Sequence, residues 1–171
     1  VILGKMLNND DKGGFFKKPY LRSQNIQIEQ VDVSDIKEMW FSPDELIQYR
    51  LMKNDLLVSE GGDVGRTCIW NEELEECYIQ NSVHKITVND DSYYRYYLYH
   101  FQIHHLTGYF DSIVNRVSIP HLTKEKLTRT SFLVPPIEEQ VNISEYLDEQ
   151  TQKIDSTIKK ETNYILPIIE L

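Results

Sequence analysis

Two adjacent prolines divide this chain. The stretch Phe132-Leu-Val-Pro-Pro-Ile-Glu-Glu-Gln140 passes from an apolar segment through Pro135 and Pro136 into a run with neither glycine nor proline from Ile137 to Ile165. A proline cannot donate to a strand ladder, it breaks a helix interior, and it pushes the preceding residue into extended backbone. One kind of structure therefore has to stop here and another has to start. The pattern predicts an apolar strand over 131–134 and a long helix after the prolines. The molecule reads as a domain, 1–137, followed by a helical arm, 138–171, joined by a rigid corner that sets the angle between them.

The arm has a regular stripe. Leu147, Thr151, Ile154, Ile158, Glu161, Ile165 and Ile168 fall at alternating steps of four and three, the coiled-coil spacing, and five of these seven positions are apolar. Unbroken, such a helix extends on the order of 50 Å at about 1.5 Å per residue. Pro167 is expected to kink or end it in the last turn. A stripe of that length exceeds what a domain of this size can cover. Leu147, Thr151, Ile154, Ile158, Ile165 and Ile168 are thus expected to pair with a second helix.

A chain of 171 residues can bury a real core, and 40% hydrophobic residues with eleven tyrosines argue against disorder. No apolar run approaches the length of a membrane span and the first residues lack a signal-peptide pattern, so a cytoplasmic protein without membrane contact is expected. The chain starts without methionine and stops inside a helical pattern, as a fragment would. Cys68 and Cys77 are too few for a disulfide framework or a four-cysteine zinc site, which leaves free thiols.

The net charge of −9 speaks against nucleic acid, but its distribution does not. From Glu138 onward eight acidic side chains outnumber three basic ones. Lys12, Lys17, Lys18 and Arg22, by contrast, stand within 12–24 without an acid. Arg116, Lys124, Lys126 and Arg129 share 112–137 with Glu125 alone. Phosphate binding requires a local basic patch rather than a basic total.

Local signals outline an α+β domain. Residues 7–18 read as a loop rich in Asn, Asp and Gly. Ser42-Pro43-Asp44-Glu45 reads as a helix start, with Ser42 as cap, Pro43 at the first position and Glu45 reaching back. Strands are expected at Leu56-Leu57-Val58, around 67–70 and over 82–88, with the close glycines of 60–65 forming a sharp turn. The acidic segment 72–76 reads as solvated. A helix is expected over 92–106 with Tyr94, Leu98 and Phe101 inward, and a single helical turn over 123–127.

Catalytic patterns are missing. His100 and His104 are spaced for a shared metal, yet no HExxH pattern accompanies them and their surroundings are apolar. Asp55 and Glu60 lack the lysine of a nuclease motif. Gly61-Gly-Asp-Val-Gly65 lacks the Gly-Lys-Ser/Thr ending of a phosphate loop, and Pro135-Pro136 lacks the preceding Asp or Asn of an amino-methyltransferase motif. No catalytic residue, cofactor or metal site is expected, and binding is the better class.

Taken in order, the motifs resemble those of type I restriction-modification specificity subunits. The resemblance runs through Val1-Ile-Leu-Gly4, Tyr20-Leu-Arg-Ser-Gln-Asn-Ile26, Lys53-Asn-Asp-Leu-Leu-Val58, Gly61-Gly-Asp-Val-Gly-Arg66 and Leu122-Thr-Lys-Glu-Lys-Leu127. It continues through Leu133-Val-Pro-Pro-Ile-Glu-Glu-Gln140 to Tyr146-Leu-Asp148 and Lys153-Ile-Asp155. The resemblance implies one target recognition domain, a mixed sheet with short helices, followed by one long conserved helix. It implies a non-catalytic subunit that reads one half of a bipartite site on double-stranded DNA. The implied partners are methyltransferase subunits, restriction subunits and a second specificity half or a second copy paired through the helix, whose length sets half-site spacing.

Within that frame Lys17, Lys18 and Arg22 are expected to contact phosphate from an acid-free loop. Ser23, Gln24 and Asn25 are expected to reach base edges, and Arg66 to approach the DNA backbone after the glycine turn. Lys85, Arg95 and Arg116 are weaker candidates. The competing class is a non-DNA interaction module assembled through the helix, which a surface with every basic side chain paired to an acid would favour.

Overall fold

Leu56-Leu57-Val58 is an uninterrupted apolar run because both of its faces are covered. Leu57 packs with Leu21, Trp70, Ile79 and Val83, whereas Leu56 and Val58 pack with Leu98, Phe101, Phe110 and Leu127. These relations come from a computed structural model that describes residues 1–114 and 120–169, the side chains of 163–169 excepted. The chain forms two units, Val1–Leu133 and Val134–Leu171.

Among the described residues the first unit contains seven short strands: β1 (Ile2–Leu3), β2 (Phe16–Leu21), β3 (Lys37–Phe41), β4 (Leu56–Ser59), β5 (Thr67–Ile69), β6 (Tyr78–Ile79) and β7 (Val83–Ile86). One antiparallel sheet has the order β1-β7-β4-β5, and a mixed sheet has the order β3-β2-β6. Side chains alternate across each strand, so neighbours in sequence serve different layers. In β2, Tyr20 joins Met39, Phe41 and Tyr78 on the outer face of the mixed sheet, while Leu21 enters the core between the sheets. In β7, Val83 faces that same core and His84 turns the other way, where its Nε2 donates to the Leu122 carbonyl at 2.6 Å.

Helix α1 (Pro43–Tyr49) starts as its sequence requires. Glu45 N donates to Ser42 Oγ and Ser42 N donates to Glu45 Oε2, which closes the capping box. Leu46 and Tyr49 of α1 pack on the outer face of the mixed sheet. The opposite layer consists of α2 (Tyr94–Leu106), α3 (Tyr109–Ile113) and α4 (Lys124–Thr128). Leu98 and Phe101 are buried there, as the helical spacing predicts, and Ile103 is exposed. Cys68 and Cys77 lie in the core between the sheets as free thiols; burial pushes both up, Cys77 to about 12.

Two elements expected in the first unit are not found as expected. Residues 131–134 form no strand: Leu133 and Val134 are 83% and 58% exposed. An apolar run becomes a strand only where another strand offers a ladder. Here the segment is instead held by Phe132, whose ring meets His100, His104 and Phe101, and by Tyr96 Oη, which donates to the Leu133 carbonyl at 2.9 Å. The loop expected over 7–18 ends early, because Phe16, Lys17 and Lys18 pair with β3 as part of β2.

The second unit is α5 (Ile137–Ile169), a helix of 33 residues. It begins directly after the prolines. Glu139 N and Gln140 N donate to the Pro136 carbonyl, and Gln140 Nε2 donates to the Pro135 carbonyl at 2.8 Å. The glutamine of the junction thus satisfies a carbonyl that the helix cannot. Pro167 does not end α5, which continues to Ile169; a proline withdraws a single N–H from the ladder and leaves the flanking bonds in place. Ile154 and Ile158 are 57% and 58% exposed, while the side chains of Ile165 and Ile168 lie outside the described ones. Thr151 Oγ1 donates to the Leu147 carbonyl at 2.9 Å.

Candidate nucleic-acid interface

The site begins with a buried amide. Asn25 closes a single 3-10 turn, Ser23–Asn25, after β2 and is 2% exposed. Its Oδ1 accepts from Arg22 N at 2.9 Å, and its Nδ2 donates to the carbonyls of Asp32 and Asp35 at 2.8 and 3.2 Å. These bonds fold residues 26–35 back upon the turn and deliver Asp35 to Arg22. Arg22 Nη2 donates to Asp35 Oδ2 at 2.9 Å, Gln24 Nε2 donates to the same oxygen at 3.2 Å, and Lys37 Nζ lies 3.0 Å from Oδ1. The Arg22 guanidinium and then the Lys37 ammonium hold the Asp35 carboxyl down at about 2.

The glycine turn supplies the adjoining part. Gly65 has φ +84°, and a Cβ there would lie 2.2 Å from Phe110 Cδ2, so only glycine fits. The turn directs Arg66 towards Ser23 and Gln27: Nη1 donates to Gln27 Oε1 at 3.2 Å and Nη2 to the Ser23 carbonyl at 3.3 Å. Gln27 Nε2 in turn donates to the Gln24 carbonyl at 2.7 Å. Asp63 Oδ2 lies 3.5 Å from Arg66 Nε, and its Oδ1 lies 3.6 Å from His105 Nε2 on α2. Arg22, Ser23, Gln24 and Arg66, drawn from two separate motifs, therefore form one hydrogen-bonded surface. Gln27, Asp35, Lys37 and Asp63 complete it and escape sequence reasoning. Gln27 carried a faint signal as one of the polar residues that alternate with Ile26 and Ile28; Asp35 carried none, because Arg22 lies thirteen residues away.

The remaining candidates divide. Lys17 and Lys18 do not lie in a loop and do not lack acids. Pairing of β2 with β3 and β6 brings Glu38 to 3.7 Å from Lys17 Nζ and places Glu76 against Lys18. The segment 72–76 is accordingly not simply solvated. Lys85 is 7% exposed and its ammonium donates to the carbonyls of Gln48 and Arg50 at 3.3 and 2.7 Å, an architectural task. The side chain of Asn25 is likewise engaged within its turn and does not present an edge to solvent. The Arg95 guanidinium lies 5.9 Å from the Tyr99 ring on α2, and Arg116 lies outside the described residues.

His104 Nδ1 donates to the His100 carbonyl at 2.7 Å, and both rings sit among Tyr96, Phe132, Tyr109 and Phe110. Asp55 is buried, its carboxylate accepting from Met52 N and Thr87 Oγ1. Among the described residues no cluster of three or more histidine, cysteine or carboxylate side chains is arranged to hold a metal, and no helix is long and apolar enough to cross a membrane.

This order of elements, a two-sheet unit with short helices and then one long helix, coincides with a known family. The type I restriction modification DNA specificity domain matches residues 4–165, and the chain belongs to that family. Among individual proteins, the chain is 34% identical over 112 residues to the type I restriction enzyme EcoBI specificity subunit of Escherichia coli, a match covering 64% of this chain and 22% of that one. In fold it is similar to a chain from a structure addressing complex assembly and conformational transition of the type I R-M system. That match has a TM-score of 0.65 at 19% identity over 92% of this chain and 38% of the other. It is also similar to the HsdS subunit from Thermoanaerobacter tengcongensis, with a TM-score of 0.62 at 20% identity over 88% of this chain and 35% of that one. The chain spans about a fifth of the curated relative and just over a third of each solved chain.

Proposed function

We propose that the unit Val1–Leu133 is a target recognition domain that reads one half of a bipartite site on double-stranded DNA, and that α5 is its spacing and pairing arm. Family membership across residues 4–165 carries this reading. The surface built from Arg22, Ser23, Gln24, Gln27 and Arg66 supports it with suitable chemistry. Arginines position a protein on phosphates or read guanine in bidentate fashion, and glutamine amides match adenine. The chain has no catalytic role in this reading. It holds methyltransferase subunits, and through them restriction subunits, on the target. The exposed Ile154 and Ile158 pair with the helix of a second specificity half or of a second copy, and 33 residues of helix give a ruler of about 50 Å.

A second reading is favoured by one observation. Lys17, Lys18, Arg22 and Arg66 each face a carboxylate. A surface so balanced suits a protein-interaction module that ignores anions. Selection of bound sequences from a random duplex pool, with the methyltransferase partner present, separates the two. Recovery of one bipartite consensus is expected. Recovery of no sequence preference would leave the interaction module. Arg22→Ala together with Arg66→Ala should flatten the salt dependence of duplex binding by about 0.9 in log–log slope for each phosphate that is no longer neutralised.

A further inference from the structure

The cradle around Arg22 holds an anion that the chain supplies to itself. Arg22 Nη2 and Gln24 Nε2 converge on Asp35 Oδ2 at 2.9 and 3.2 Å, and Lys37 Nζ meets Oδ1 at 3.0 Å. Two cations and an amide, brought from three points in the sequence, thus surround one carboxylate. That carboxylate is half exposed, at 51%, so it can leave without opening the core. Arg22 and the Lys37 backbone have anchors besides that carboxylate. The same Arg22 Nη2 donates to the Asp35 main-chain carbonyl at 2.9 Å, and Lys37 is fixed opposite Tyr20 in the β2–β3 ladder. Asp32 adds a second carboxylate to the turn, engaged with Ser34 N at 2.9 Å. A carboxylate and a phosphodiester share the feature that arginine reads, two oxygens on one atom carrying a single negative charge.

We propose that Asp35 is an internal substitute for a DNA phosphate. The Arg22, Gln24 and Lys37 donors form a phosphodiester site that Asp35 closes in the free protein and that a backbone phosphate opens by displacing the carboxylate. This rests on the DNA-reading function proposed above. Any duplex must then compete with a tethered anion, which lowers the affinity of a domain whose neighbouring contacts are too few.

The test is a salt series of binding to random-sequence duplex by the full chain, Asp35→Asn and Asp35→Ala. Asp32→Asn serves as the control that removes the same charge from the same turn without opening the cradle. Random-sequence duplex, with its few contacts, is expected to leave the wild-type cradle closed, so both Asp35 variants should bind it roughly tenfold more tightly at about 50 mM salt, with a log–log slope steeper by about 0.9, the value of one more neutralised phosphate. Asp32→Asn should give a clearly smaller gain. Equal gains from Asp32→Asn and Asp35→Asn would reduce the effect to general charge and overturn the proposal. Unchanged or weaker binding by Asp35 variants that unfold at the wild-type denaturant midpoint would make Asp35 a positioning residue for Arg22, and also overturn it. If the wild type and every variant show no salt-dependent duplex binding, the DNA-reading function itself fails.

Discussion

The sheet unit and α5 solve the same problem, covering apolar surface, by opposite means. In the first unit, Leu21, Leu57, Trp70 and Ile79 come from distant segments and close upon one another completely. In α5 the backbone bonds are local, and Ile154 and Ile158 stay exposed. One region is finished within the chain; the other has an ordered backbone and an unfinished surface. A fold that carries both holds the side chains of one region fixed and leaves Ile154 and Ile158 of the other uncovered.

Breaking the first half of that contrast should have the largest effect. Leu57→Ala empties a site between the two sheets and is expected to destabilise the first unit by roughly 2–5 kcal/mol in urea unfolding. A change below about 1 kcal/mol would mean that the inter-sheet core is not tightly packed. Gly65→Ala follows, at about 1–3 kcal/mol, since it imposes both an unfavourable positive φ and an overlap with Phe110. Because this turn delivers Arg66, the same variant should alter duplex binding.

Acid provides a smaller and graded probe. Burial pushes His84 below its ordinary pKa, so the folded state resists the proton that the unfolded state accepts. Stability should be full above the unfolded value of about 6.5 and should fall as pH drops below it towards the depressed folded value. His84→Gln should flatten that decline in unfolding midpoints measured between neutral and mildly acidic pH; an unchanged decline would assign it to other groups. At the small end, Ile158→Lys should move the unfolding of the first unit by no more than about 0.5 kcal/mol. It should nevertheless abolish any self-association seen as mass by light scattering. A large drop in stability instead would mean that Ile158 packs within the chain.

The same contrast explains what was legible in the sequence. Helix α1 was legible because Ser42, Pro43 and Glu45 specify it within four residues, and α5 was legible through its glycine-free run. The strand expected over 131–134 failed because ladder partners are not local information. For the same reason Lys17 and Lys18 read as an unpaired loop until β3 and β6 brought Glu38 and Glu76 to them. At the candidate interface Arg22, Arg66 and Gln24 could be named in advance, whereas Lys37 could not. Their acids could not, since Asp35 reaches Arg22 only through the folded segment that Asn25 pins.

The burial of Cys68 and Cys77 has a practical consequence. Thiolate, not thiol, reacts with maleimides and disulfides, and these two groups are both enclosed and held protonated at neutral pH. The native fold is therefore silent to such reagents without any engineering. A cysteine introduced at Ile154 or Ile158 would stand as a single reactive handle, able to record by cross-linking which residue of a neighbouring helix comes to lie against it.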